Sequence, residues 1–124
     1  MMKNSWYQAK VIRGKKIART LGFPTLNLDT PSILKGSKEG VYAAGLKIGN
    51  KLYKGILYYG PRLLLGETVK ILEIFVFDFD KDIYGETISF QVRKFIRKVK
   101  NFPNSKSFQK QLLLDCQKAK DLLK

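Results

Sequence analysis

Apolar and polar residues alternate along much of this chain with a period of two, the spacing of a strand with one buried face. Thr87 to Arg93 is the clearest case: Ile88, Phe90 and Val92 interleave with Thr87, Ser89, Gln91 and Arg93. The pattern predicts a first strand over Trp6 to Arg13, then a loop from Gly14 to Gly22, a short extended piece from Thr25 to Leu28 and a long loop from Asp29 to Glu39. Gly40 to Ile48 and Lys51 to Tyr59 read as a hairpin, because Gly49-Asn50 is the two-residue connection that primed turns require. Thr68 to Phe77 is a further strand and Asp78 to Glu86 a turn. Short antiparallel strands in series imply a barrel. After Pro103 the period changes: Phe108, Leu112, Cys116, Ala119 and Leu123 recur at threes and fours, an amphipathic helix with Ser105 or Ser107 as its cap.

At 124 residues the expectation is one domain, residues 1–124, with room for one site. No apolar run approaches membrane-spanning length and the first ten residues hold no secretory core, so a cytoplasmic protein without a membrane partner is expected. Histidine is absent, which removes the commonest general base and the Ser-His and Cys-His nucleophile systems. Cys116 stands alone and reads as a small apolar core residue. Any catalysis must therefore use carboxylates or cations. The formal net charge of +14 would draw in a polyanion, a nucleotide or a nucleic acid, without choosing between them.

Leu21-Gly22-Phe23-Pro24-Thr25-Leu26-Asn27 carries the sharpest local signal. Pro24 pushes Phe23 into an extended conformation, and Thr25 and Asn27 then share one strand face. A hydroxyl and an amide oxygen placed there, after Lys15, Lys16 and Arg19, suit a Mg²⁺ bridging to phosphates; the plainer alternative is a strand beginning after a turn. Nothing matches a P-loop. Asp78, Asp80 and Asp82 have calcium-loop spacing, but Ile83 and Ser89 stand where Gly and Glu are needed, which favours a solvated turn. The run Arg93, Lys94, Arg97, Lys98 and Lys100 reads as a phosphate-binding patch or a solvated face. Glu73 interrupts an apolar run and shares a strand face with Phe75 and Phe77. If that face is buried, Glu73 is a usable general base near neutral pH; if it points outward, it is an ordinary edge carboxylate.

Taken together, Gly14, Arg19 to Asn27, Gly40 to Ala43, Glu73, Asp78 to Gly85 and Phe90 to Arg97 resemble, in order and spacing, the riboflavin kinase (flavokinase) family, and the resemblance covers nearly the whole chain. It implies a mainly β fold, a six-stranded antiparallel Greek-key barrel with a C-terminal α-helix. It also implies transfer of the ATP γ-phosphate to the 5′-hydroxyl of riboflavin, giving FMN and ADP with Mg²⁺. Gly14, Lys15, Lys16, Arg19, Gly22, Pro24, Thr25 and Asn27 would then contact the nucleotide, Thr25 and Asn27 would ligate the metal, Glu73 would be the catalytic base, and Arg97 would contact the flavin beside the helix. A monomer is expected, without specific nucleic-acid binding. The alternatives are a small basic barrel binding RNA or single-stranded DNA, and an inactive flavin-binding domain. The chain departs from the family pattern at Ala18, where Gly is usual, and over Gly60 to Gly66.

Overall fold

A computed structural model describes residues 5–13, 25–61, 66 and 68–124. The predicted loop Gly14 to Gly22, with Lys15, Lys16, Arg19 and the following Pro24, lies outside the described residues, as do residues 62–65. The elements are β1 (Trp6–Ile12), β2 (Thr25–Leu28), a 3₁₀ turn (Pro31–Leu34), β3 (Gly40–Ile48), β4 (Lys51–Pro61), β5 (Lys70–Val76), β6 (Thr87–Lys98) and α1 (Ser105–Leu122). The strands close into a barrel in the order β1-β2-β5-β4-β3-β6, every pair antiparallel. β3, β4 and β5 form a meander and β6 returns beside β3, which is a Greek key.

Alternation decides which side chains fill the barrel. Ala9 and Val11, Leu26 and Leu28, Leu46, Leu57, Leu72 and Ile74, and Ile88 and Phe90 pack together inside. A second apolar layer lies on the outer wall, where Val41 and Ala43 of β3, Ile56 of β4 and Phe75 of β5 meet Leu112, Cys116, Ala119 and Leu123 of the helix. The helical stripe expected from sequence is thus the one that docks.

Three elements differ from the sequence reading. β6 continues five residues beyond Arg93, because its pairing with β3 shifts register between Val41 and Tyr42 and again between Ala43 and Ala44. Each irregularity breaks the period of two, so alternation alone ends the strand too early. The helix cap is Asn104 rather than either serine: its Oδ1 accepts from the Ser107 N–H at 2.8 Å. The loop after β2 holds the 3₁₀ turn, opened by Pro31 and anchored by Leu34, which is fully buried.

Gly40 sets how closely β3 approaches β6. Its φ is +154°, and a Cβ there would lie 2.2 Å from the Arg97 carbonyl oxygen and 2.8 Å from the Phe95 ring. Only glycine fits.

Candidate functional site

Register places the sequence-predicted residues side by side. On β2 and β5, Asn27 lies directly opposite Glu73 and Thr25 opposite Phe75. On the other flank of β5, Glu73 lies opposite Tyr58, which pairs with Val41, which pairs with Arg97 of β6. Paired residues project to the same side with Cβ atoms about 4.5–5.5 Å apart, so Asn27, Glu73, Tyr58, Val41 and Arg97 form one row across five strands. Val41 belongs to the layer beneath α1, whereas the alternate residues Leu26, Leu72 and Ile74 fill the barrel. The row therefore lies on the outer wall.

Glu73 thus combines the two environments considered from sequence, and its burial is the one that matters for a base. Its face points outward, yet it is only 8% exposed and Asn27 only 5%. With Asp115 they are the buried polar or charged residues among those described. An outward strand face normally meets water, but here neighbouring structure covers it, and buried polar groups of this kind require partners. Thr25, Asn27, Tyr58 and Glu73 all engage in polar or electrostatic contacts.

Asp115 projects from the buried side of α1 and is 1% exposed. Arg97 grips it with two nitrogens: Nε donates at 2.9 and 3.0 Å to the two carboxylate oxygens, and Nη2 donates to Oδ2 at 2.8 Å. Gln111 Nε2 donates to Oδ1 at 3.0 Å, one helical turn away. Arg97 Nη1 also donates to the Lys98 carbonyl at 3.1 Å. This bidentate, charge-assisted fork fixes the helix against β6. Arg97 stands three strand spacings from Glu73, roughly 14 Å along the wall, so the structure does not bring it together with Thr25, Asn27 and Glu73. Its described partner is the helix.

Tyr58, between Glu73 and Val41, was not singled out from sequence. Its hydroxyl donates to the Pro61 carbonyl at the end of β4, and a Cβ at Gly60 (φ +149°) would come within 2.9 Å of Val99 and 3.5 Å of that hydroxyl. An aromatic residue in an alternating run carries no mark distinguishing it from core, so only the register reveals its place beside Glu73.

The arrangement suits a hard cation. Thr25 contributes a hydroxyl, Asn27 an amide oxygen and Glu73 a carboxylate, all from one side of two hydrogen-bonded strands. Mg²⁺ takes such oxygens while keeping waters and substrate phosphates in its octahedron, so two or three protein donors suffice. The residues present fit the metal. Residues 78–86 form the expected turn, with the Tyr84 N–H donating to Asp82 Oδ1 at 3.1 Å and Gly85 at φ +87°. Arg13, where β1 ends, stacks its guanidinium on the Tyr84 ring at 4.2 Å. Cys116 is buried as expected, and burial chiefly, with the Asp115 carboxylate second, pushes its thiol up to about 11. It is a packing residue.

A closed six-stranded barrel with one docked helix and oxygen donors in register on its outer wall defines a class, and comparison with known proteins gives the family. A model of the riboflavin kinase (flavokinase) family matches residues 2–123, and the chain belongs to that family. It is similar to the RNA-binding riboflavin kinase RibR of Bacillus subtilis, 37% identical over 106 residues that cover 85% of this chain and 45% of that protein. It is also similar to the bifunctional riboflavin kinase/FMN adenylyltransferase of Haemophilus influenzae, 31% identical over 112 residues, covering 90% of this chain and 36% of the relative. The chain thus spans less than half the length of either relative. The crystal structure of riboflavin kinase from Trypanosoma brucei has the same fold, with a TM-score of 0.69 at 20% identity over 98% of this chain and 81% of that one. A crystal structure described as a macrolide-efflux protein from Streptococcus pneumoniae also superposes, with a TM-score of 0.73 and 27% identity, covering 90% of this chain and 37% of that one. Among the described residues no helix is long and apolar enough to cross a membrane.

Proposed function

We propose that this chain is a riboflavin kinase domain transferring the γ-phosphate of ATP to the 5′-hydroxyl of riboflavin, with FMN and ADP as products, in the cytoplasm. One observation carries the reading: Thr25, Asn27 and Glu73 stand in register on one covered patch of outer wall, where the family pattern places its metal ligands and base. Glu73 takes the proton of the attacking hydroxyl, and its covered position keeps competing water from that carboxylate. Thr25 and Asn27 hold Mg²⁺, which when bound neutralises charge on the transferred phosphoryl group. Transfer through a loose transition state depends mainly on positioning and charge neutralisation, so one base and one pair of oxygen ligands are sufficient protein chemistry. Gly14, Lys15, Lys16, Arg19, Gly22 and Pro24 remain the proposed nucleotide contacts. Arg97 acts on the flavin side indirectly, by holding α1 in place.

Incubating the full chain with riboflavin, ATP and Mg²⁺ tests the reading. FMN should appear and FAD should not; absence of FMN with any nucleotide and metal removes the kinase, and FAD formation contradicts a single site.

A second ligand, additional to these substrates, is nucleic acid. The net charge of +14 favours it, as does similarity to a relative whose name records RNA binding.

A further inference from the structure

The outer wall away from α1 has a different chemistry. Pairing sets three rows across it: Lys10 beside Thr87; Gln8, Ser89, Lys47 and Leu52; and Trp6, Gln91, Gly45 and Lys54. Their alternates Ala9, Leu46, Ile88 and Phe90 line the interior, so these rows face outward. They carry lysines and no carboxylate. Asp29 and Glu86 stand at the Lys10 margin: Asp29 Oδ1 accepts from the Lys10 N–H, and the Glu86 backbone carbonyl accepts from the Val11 N–H.

Two apolar residues break this polar surface: Trp6 is 47% exposed and Leu52 73%. The Trp6 indole makes no ring-stacking or cation–π contact among the described residues. Beside it the wall is flat. A Cβ at Gly45 would meet nothing nearer than Gln91 Oε1 at 3.6 Å, and that amide oxygen accepts from Arg93 Nη1 at 3.4 Å. An indole at one end, amides and a hydroxyl in the middle, and ammonium groups around them match the three parts of an unpaired nucleotide strand. Bases stack on aromatic faces, base edges and sugars pair with amides and hydroxyls, and phosphates take the cations. A duplex hides its bases and would leave the indole unused. A second copy of this chain would bring two cationic faces together.

We propose that this bare wall binds single-stranded nucleic acid with little sequence preference, with Trp6 as the stacking platform and Lys10, Lys47, Lys54 and Arg93 as the phosphate contacts. The inference deepens the second reading above and is independent of the kinase reading. Trp6 is the only tryptophan in the chain, so its emission reports contact at this wall directly.

The experiment titrates the full chain at low salt with a single-stranded oligouridylate, the matching RNA duplex and anionic phospholipid vesicles, following Trp6 fluorescence and sedimentation. The expected result is quenching by the single strand, at lower concentration than the duplex requires. Trp6→Ala should weaken binding about tenfold and Trp6→Phe should restore most of it. Replacing Lys47 and Lys54 by Gln should flatten the log–log salt dependence by about 0.7 for each lysine. FMN formation by these variants should match wild type, and if no variant or wild type makes FMN, the fluorescence titration still decides this proposal. The proposal is overturned by no binding at low salt, by binding without quenching, or by equal affinity for duplex or vesicles. Self-association as the event that covers Trp6 would overturn it too, as would binding that survives Trp6→Ala but disappears when Lys94, Lys98 and Lys100 are neutralised.

Discussion

The outer wall of this barrel is one surface with two sectors, and both obey the same strand alternation. Under and beside α1 it is buried and holds Asn27, Glu73 and, from the helix, Asp115; away from α1 it is open, cationic and without carboxylates. The sequence pattern of an outward strand face does not separate them. Cover does: α1 turns the outward face at Val41, Ala43, Ile56 and Phe75 into a second interior. Asn27 and Glu73, farther along the same wall, are buried as well, and polar groups there are costly unless paired and therefore chemically consequential. Riboflavin kinase chemistry is proposed for the covered sector and polyanion binding for the open one.

The largest effect separating the sectors should come from the fork that holds the helix. Arg97→Met leaves the Asp115 carboxylate buried without its cation, which should destabilise the fold by about 3–5 kcal/mol in denaturant titration. Replacing both partners with apolar residues should restore most of the loss. If Arg97→Met instead raises the KM for riboflavin without altering stability, Arg97 is a flavin ligand and not a helix anchor.

Next is a pair on one strand and one face. Ile56 lies under α1 and is 1% exposed, whereas Leu52, four residues earlier, is 73% exposed. Ile56→Ala should cost about 2–5 kcal/mol and Leu52→Ala about 0.5 kcal/mol or less. Equal costs would mean that the helix does not divide the wall as described.

Much of this was legible in the chain. The barrel strands followed from alternation, the hairpin from Gly49-Asn50, and the docking face of α1 from its spacing of threes and fours. Thr25 and Asn27 were readable as a pair because two residues on one strand always share a face. What they meet across the strand was not, since Asn27 opposite Glu73 is a matter of long-range register. The same holds for Tyr58 and for the Arg97–Asp115 fork, whose members lie eighteen residues apart. The far end of β6 was hidden by its bulges, and the fate of Glu73 by a cover that no local pattern encodes.

A smaller change tests the metal patch. Thr25→Val keeps the β-branched shape and removes the hydroxyl, so phosphoryl transfer should fall about tenfold or more and become more demanding of Mg²⁺, while the melting temperature stays near wild type. Unchanged turnover in this variant would make Thr25 a strand residue only.

The smallest effect belongs to Cys116, beneath the helix. Its thiol, neutral when protonated, is raised from 9.0 to about 11 in the folded chain. The stability this contributes is complete below about 9 and is lost as pH rises through about 11. The stability gap between wild type and Cys116→Ala should therefore narrow over that window, as read from unfolding curves at successive pH values. A constant gap would contradict burial of the thiol.

The most direct test of the covered sector is Glu73→Gln, assayed for both turnover and binding. The amide keeps the size of the side chain and can still hydrogen-bond a hydroxyl, but it cannot accept the proton. Riboflavin and ATP should bind nearly as in wild type while kcat for FMN formation falls by about a hundredfold or more. Wild-type kcat at every pH, or a loss explained wholly by unfolding, would show that Glu73 is a structural residue of the barrel wall and that the base lies elsewhere.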